Sequence, residues 1–122
     1  RADWQRPAGS RLELQVLRAL ERRKVGPLVR QYPIELPNGI TIHADGAVPD
    51  FRWAVEVDHV TWHGGRLDAQ RDKGRDRLLR RIRWQVDRVT DQELTDDFRG
   101  AIDDLVACFE ARRAEFLRRR VG

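Results

Sequence analysis

Asp45, Glu56, Asp58 and His63 fall within nineteen residues of one another, in the run HADGAVPDFRWAVEVDHVTWH. Two carboxylates offered by neighbouring strands, joined by a third and by an imidazole, can hold a divalent cation and move a proton. The oxygen-rich set favours Mg²⁺ or Mn²⁺, since hard cations take carboxylates, carbonyls and water in an octahedral shell. Zinc with three protein ligands is the weaker option. The competing reading is that the acids are solvated residues of a half-exposed sheet. Like charges clustered on one face cost stability without a counter-ion, and that cost favours the cation.

The elements that must position these groups follow from periodicity. Ser10 followed by Glu13 has capping-box spacing, and Leu12, Val16, Ala19 and Leu20 then recur at helical intervals, which predicts a helix over 10–24. Segments 28–36 and 40–48 are rich in β-formers and are separated by Pro37-Asn38-Gly39, where Asn-Gly supplies the positive φ angles of a tight hairpin. A third strand over 52–58 follows a turn at Pro49-Asp50. Residues 68–81 read as a basic helix anchored by Leu78 and Leu79, 84–90 as a short strand, and 92–119 as a closing helix. The order α-β-β-β-α-β-α predicts an α/β domain with a mixed four-stranded sheet flanked by helices. Residues 1–9 read as a flexible lead-in, and 10–122 as one domain.

If the second and third strands form an antiparallel hairpin centred between Asp50 and Phe51, opposed residues have numbers summing to 101. Asp45 then faces Glu56, Ala47 faces Ala54 and His43 faces Asp58, all six projecting from one face. The alanines leave room beside the acids. Ile42, Ala44, Val48, Trp53, Val55 and Val57 would form the opposite, core-facing side.

With 122 residues the chain can build one core. No segment has the apolar length to span a membrane, and a single cysteine with three histidines makes no structural zinc pattern. A cytoplasmic setting is the default expectation, and a first residue other than Met suggests a piece of a longer protein. Charge is segregated: residues 1–30 carry net +5, 31–65 net −4, 66–90 net +5 and 91–122 net −2. Basic flanks would attract phosphate around an acidic centre that needs a cation to accept it. The excess of arginine, 22 against 2 lysines, is also what a GC-rich genome produces.

The run HADGAVPDFRWAVEVD, then WH, then RDKGRDRLLRRIRWQVDRVT resembles the PD-(D/E)xK nuclease superfamily, and most of all the very-short-patch-repair (Vsr)-type endonucleases and their uncharacterised bacterial relatives. The likeness extends from Ser10 to about Leu94. It implies a restriction-endonuclease-like core and a metal-dependent DNA endonuclease that leaves 5′-phosphate and 3′-hydroxyl ends. Asp45 resembles the metal-binding aspartate and Glu56 the acidic residue of the half-motif. Asp58 stands where that half-motif has its lysine, and would adjust the metal or its water. His63, after Trp62, is similar to the histidine kept near the scissile phosphate, where it would serve as general base or protonate the leaving oxygen. Glu13 resembles a first-helix glutamate that supports the metal through water, although capping the helix is its other and slightly favoured job. Pro49-Asp50 is the literal "PD", but lies at the hairpin tip, so Asp45 is the better ligand. His59 and Arg83 each replace a glycine of the relatives, and the repair enzymes' zinc ligands are absent.

Among the remaining residues, Trp62 would stack on or wedge between bases, with Arg71 and Arg75 facing the site from the basic helix. Asp72 and Asp76 suggest ion pairs within that helix instead. Trp53 and Trp84 read as core. DNA is the expected partner. RNA cleavage by a toxin or defence effector, or a nuclease-like module that binds nucleic acid without cutting it, are the alternatives. Oligomeric state is left open by the sequence.

Overall fold

Two turns set the first three strands. At Pro37-Asn38-Gly39 the Gly39 N–H returns to Leu36 O (2.9 Å) and Leu36 N–H to Ile40 O (2.8 Å). Only Gly39 needs the positive φ, +88°, while the Asn38 carboxamide accepts the Ile40 N–H at 3.1 Å. At the second turn, Pro49–Phe51 form a 3₁₀ turn closed by Arg52, whose left-handed backbone donates to Pro49 O at 3.0 Å. The computed structural model describes residues 7–60 and 66–121, with side chains over 11–60 and 74–119.

Strands β1 (Val29–Glu35), β2 (Thr41–Val48), β3 (Trp53–Asp58) and β4 (Gln85–Thr90) form one sheet in that order. The first two pairings are antiparallel, whereas β4 lies parallel to β3 after the crossover helix. Helices α1 (Pro7–Arg22), α2 (Arg66–Arg81), α3 (Asp91–Asp96) and α4 (Phe98–Val121) flank it. The predicted α/β class and the mixed four-stranded sheet are therefore present. Among the described residues no helix is long and apolar enough to cross a membrane.

Several helix boundaries differ from expectation. Helix α1 begins at Pro7, so Ser10 lies inside it and is no cap. The lead-in expected over 1–9 gives up residues 7–9 to that helix, and 1–6 lie outside the described residues. The single closing helix is two, because Asp97 leaves helical geometry (φ −159°) and its carboxylate instead takes the Gly100 N–H of α4 at 2.9 Å. The start of α3 is a capping box that periodicity overlooked: Thr90 Oγ1 accepts from Glu93 N–H (3.0 Å) and Glu93 Oε1 from Thr90 N–H (2.8 Å).

Each sheet face buries its own cluster. Val16, Leu17 and Leu20 of α1, with Ile102, Leu105, Val106 and Phe109 of α4, pack on Val48, Trp53, Val55, Val57 and Val89. On the other face Leu79 of α2 meets Ile34, Ala44, Ala47 and Ala54, with Trp84 and Val86 alongside. Trp53 is fully buried, and its indole N–H donates to Asp87 Oδ2 at 2.7 Å. Trp84 is half-buried with its ring 5.6 Å from that of Tyr32.

Candidate active site

The predicted hairpin register is present but short. Gly46, Ala47 and Val48 pair with Val55, Ala54 and Trp53, all summing to 101, and the β2–β3 ladder stops there. Asp45 does not form the next rung. Its Oδ2 instead accepts the Val57 N–H at 2.8 Å, so a side chain stands where a backbone carbonyl of the ladder would be. At the same level the β1–β2 ladder skips Gln31, whose φ of +51° is left-handed. The faces of β2 exchange across this point: Ile42 and Ala44 pack with Ala47 and Ala54, not opposite them as a regular strand would require. His43 pairs with Pro33 on β1 and is exposed, so its predicted place opposite Asp58 is not realised.

Gly46 explains how a helix reaches this fork. A Cβ there would lie 2.5 Å from Leu17 Cδ2, so only a glycine lets α1 pack this closely on the strand. Glu13, one turn before Leu17, is carried to the same place and is 6% exposed. Helix capping is thereby excluded for Glu13, since the helix starts six residues earlier. Its charge and that of Glu56 both act on Asp45.

Asp45 registers the crowding. Its carboxyl is pushed up from 3.8 to about 6, mainly by burial and further by the Glu13 and Glu56 charges, against the Val57 N–H and a Gln31 side-chain hydrogen bond. Glu56, 8% exposed, is held differently. Its Oε1 accepts from Arg75 Nη2 of α2 and, at 3.3 Å, from Arg88 Nε of β4. Arg88 also lies 4.0 Å from Asp58 Oδ2 and 2.9 Å from Asp76 Oδ1. Asp76 thus forms a pair across to β4, where pairing within the helix was expected.

Of the predicted residues, Arg75 bonds Glu56, Asp58 is joined to it through Arg88, and the charges of Glu13 and Glu56 act on Asp45. Trp62 and His63 lie outside the described residues, as does the Arg71 side chain. Asp50 sits exposed at the far end of β3. Arg88 went unforeseen. The parallel register of β3 and β4 seats it beside Glu56, and neither strand's sequence shows that register. His59 is a second addition: Nδ1 lies 3.9 Å from Asp91 Oδ2, and Asp91 Oδ1 accepts the Val60 N–H at 3.2 Å.

Among the described residues no three carboxylate, imidazole or thiol groups are placed to hold a metal ion. The donor types, carboxylate oxygens, are those a hard divalent cation takes. Asp45 carries charge that burial and two like neighbours oppose, and a cation is what would relieve it. A carboxylate has about four lone-pair sites, so Glu56 can accept from guanidinium and still offer an oxygen.

No protein-family model matches the chain, and no solved structure matches it. It is 38% identical over 56 residues to an uncharacterised protein found in two strains of Mycobacterium tuberculosis. The alignment takes in 46% of this chain and 21% of the relative, so the chain spans about a fifth of the length of the curated relatives it matches.

Proposed function

We propose that this domain is a Mg²⁺- or Mn²⁺-dependent DNA endonuclease of the Vsr-like type, hydrolysing phosphodiester bonds to 5′-phosphate and 3′-hydroxyl ends. The observation that supports the reading is the buried Asp45 carboxyl at the point where the β2–β3 ladder opens, with the charges of Glu13 and Glu56 acting on it. Asp45 and Glu56 would hold the cation, which when bound supplies phosphate polarisation and a more acidic water. Glu13 orients solvent at that position, and Asp58 adjusts the charge beside it. Arg75 and Arg88 bring positive charge to Glu56, two residues before the position where the resembling family has a lysine. His63 passes a proton to the leaving oxygen, while Trp62 and Arg71 contact the substrate. The test is cleavage of plasmid, single-stranded and branched DNA, and of RNA, by the chain with Mg²⁺ or Mn²⁺, beside Asp45→Ala and Glu56→Ala. Loss of product in both variants supports the reading, whereas equal activity in all three proteins refutes it.

One observation favours a second reading, a module that binds nucleic acid without cutting. Two guanidinium groups already neutralise Glu56. Titration calorimetry with Mn²⁺ separates the two, because the binding module predicts no heat that depends on Asp45.

A further inference from the structure

We infer that the open edge of the sheet at β4 is a track for a single nucleic-acid strand leading away from the carboxylate site. This rests on the proposed nuclease reading for the strand's destination, but not for the binding itself. Helix α2 lies on one face of the sheet and α4 on the other, and both overhang the edge strand β4. Between them runs an open groove of about 770 Å³, lined among others by Arg80, Arg81, Arg83, Trp84 and Arg119. Asp76 of the lining pairs with the Arg88 that touches Glu56, so ion pairs link the groove to the site.

Charge selects the occupant. The two acids of the groove are engaged, Asp76 with Arg88 at 2.9 Å and Glu115 with Arg112 at 3.2 Å. Among the described residues the exposed side chains of Arg80, Arg81 and Arg83 make no hydrogen bond or ion pair, leaving three guanidinium groups facing solvent over a few residues of chain. A polyanion is the complementary partner. Trp84, half-buried in the same lining, sets an aromatic among these guanidinium groups, and a basic groove with an aromatic side chain is how single strands are held.

Arg83 also suits a test by substitution. It occupies the left-handed position that ends α2, φ +64°, with its N–H on Arg80 O (3.0 Å) and the Trp84 N–H on Leu79 O (3.0 Å). Glycine is the favoured residue there, so the backbone accepts Arg83→Gly.

The experiment is fluorescence anisotropy of a labelled single-stranded oligothymidylate against the full chain in EDTA, over a series of salt concentrations. The variant is Arg80→Gln/Arg81→Gln/Arg83→Gly, whose glycine relieves backbone strain so that folding is not at risk. Each phosphate neutralised on a single strand contributes about 0.7 to the slope of log affinity against log salt, so the triple variant loses about 2 from that slope. Arg119→Gln, on the other wall, lowers the slope by a fraction of that amount. A control of equal charge, Arg11→Gln/Arg18→Gln/Arg22→Gln on exposed α1 positions, leaves it within a few tenths of wild type. An unchanged slope in the triple variant overturns the proposal, as does an equal loss in the control, or a groove that takes a polyglutamate peptide and no oligonucleotide. Because cleavage is never measured, failure of the nuclease reading leaves this result standing, and the reverse holds too.

Discussion

Asp45→Asn separates what the site costs the fold from what it does. The carboxyl is pushed up from 3.8 to about 6, chiefly by burial. Each tenfold change in proton affinity is about 1.4 kcal/mol, so ionised Asp45 costs the native state ~3 kcal/mol at neutral pH. The sign follows from proton counting. Between 3.8 and about 6 the native state keeps a proton that the unfolded chain has released, so stability falls as pH rises through that window. Below it both states are protonated and the penalty vanishes. Asparagine cannot ionise, yet its amide oxygen can still accept the Val57 N–H that Asp45 Oδ2 now takes at 2.8 Å. The variant should therefore be more stable than wild type by ~2–3 kcal/mol at pH 8 and by almost nothing at pH 3.5. For a chain of this size that is a rise of roughly 10 °C in Tm. Urea unfolding followed by tryptophan fluorescence, in divalent-free buffer at both pH values, measures the difference. A gain of equal size at both pH values, or a loss at pH 8, would show that burial and like charge are not what Asp45 experiences. Adding Mn²⁺ at pH 8 should then raise the wild-type midpoint and leave Asp45→Asn in place.

Other perturbations probe the supports of the site. Gly46→Ala drives a methyl into Leu17, and should cost about 1–3 kcal/mol in urea unfolding as α1 is pushed off the sheet. Thr90→Ala removes the cap of α3 and should cost about 1 kcal/mol by the same measurement. Arg88→Met and Glu56→Gln, singly and together, form a double-mutant cycle that should return a coupling of about 0.5–3 kcal/mol, and additive effects would mean the observed pair carries no energy.

The sheet was legible because its signals are local. Asn38-Gly39, Pro49-Asp50 and alternating apolar residues set strand limits to within one residue, and the register sum of 101 holds wherever β2 and β3 pair. The site was legible in composition and less so in geometry. The charges of Glu13 and Glu56 act on Asp45, but Asp45 and Glu56 are not opposed residues of a regular ladder. A left-handed Gln31 and a side chain inserted at Val57 break the strand alternation, and neither leaves a trace in two-residue periodicity. Arg88 was hidden for another reason. Which residue of β4 stands beside Glu56 depends on how α2 crosses over, and a parallel register is not written in either strand. The start of α3 was plainly written as Thr90-x-x-Glu93, but the apolar positions of 92–119 masked it by suggesting one continuous helix.

The bond from Val57 to Asp45 also bears on how the protein moves. A backbone amide in mid-sheet is ordinarily protected from solvent exchange by its neighbour strand, and that protection is indifferent to what the protein binds. Here the acceptor is a titratable group at the mouth of the site. Whatever changes the state of Asp45 changes the protection of one proton near the end of β3, so the sheet's own breathing is tied to the chemistry at its fork. Val57 is thereby a resident reporter, read by amide exchange or by its nitrogen shift, of whether the carboxylates are charged, protonated or engaged.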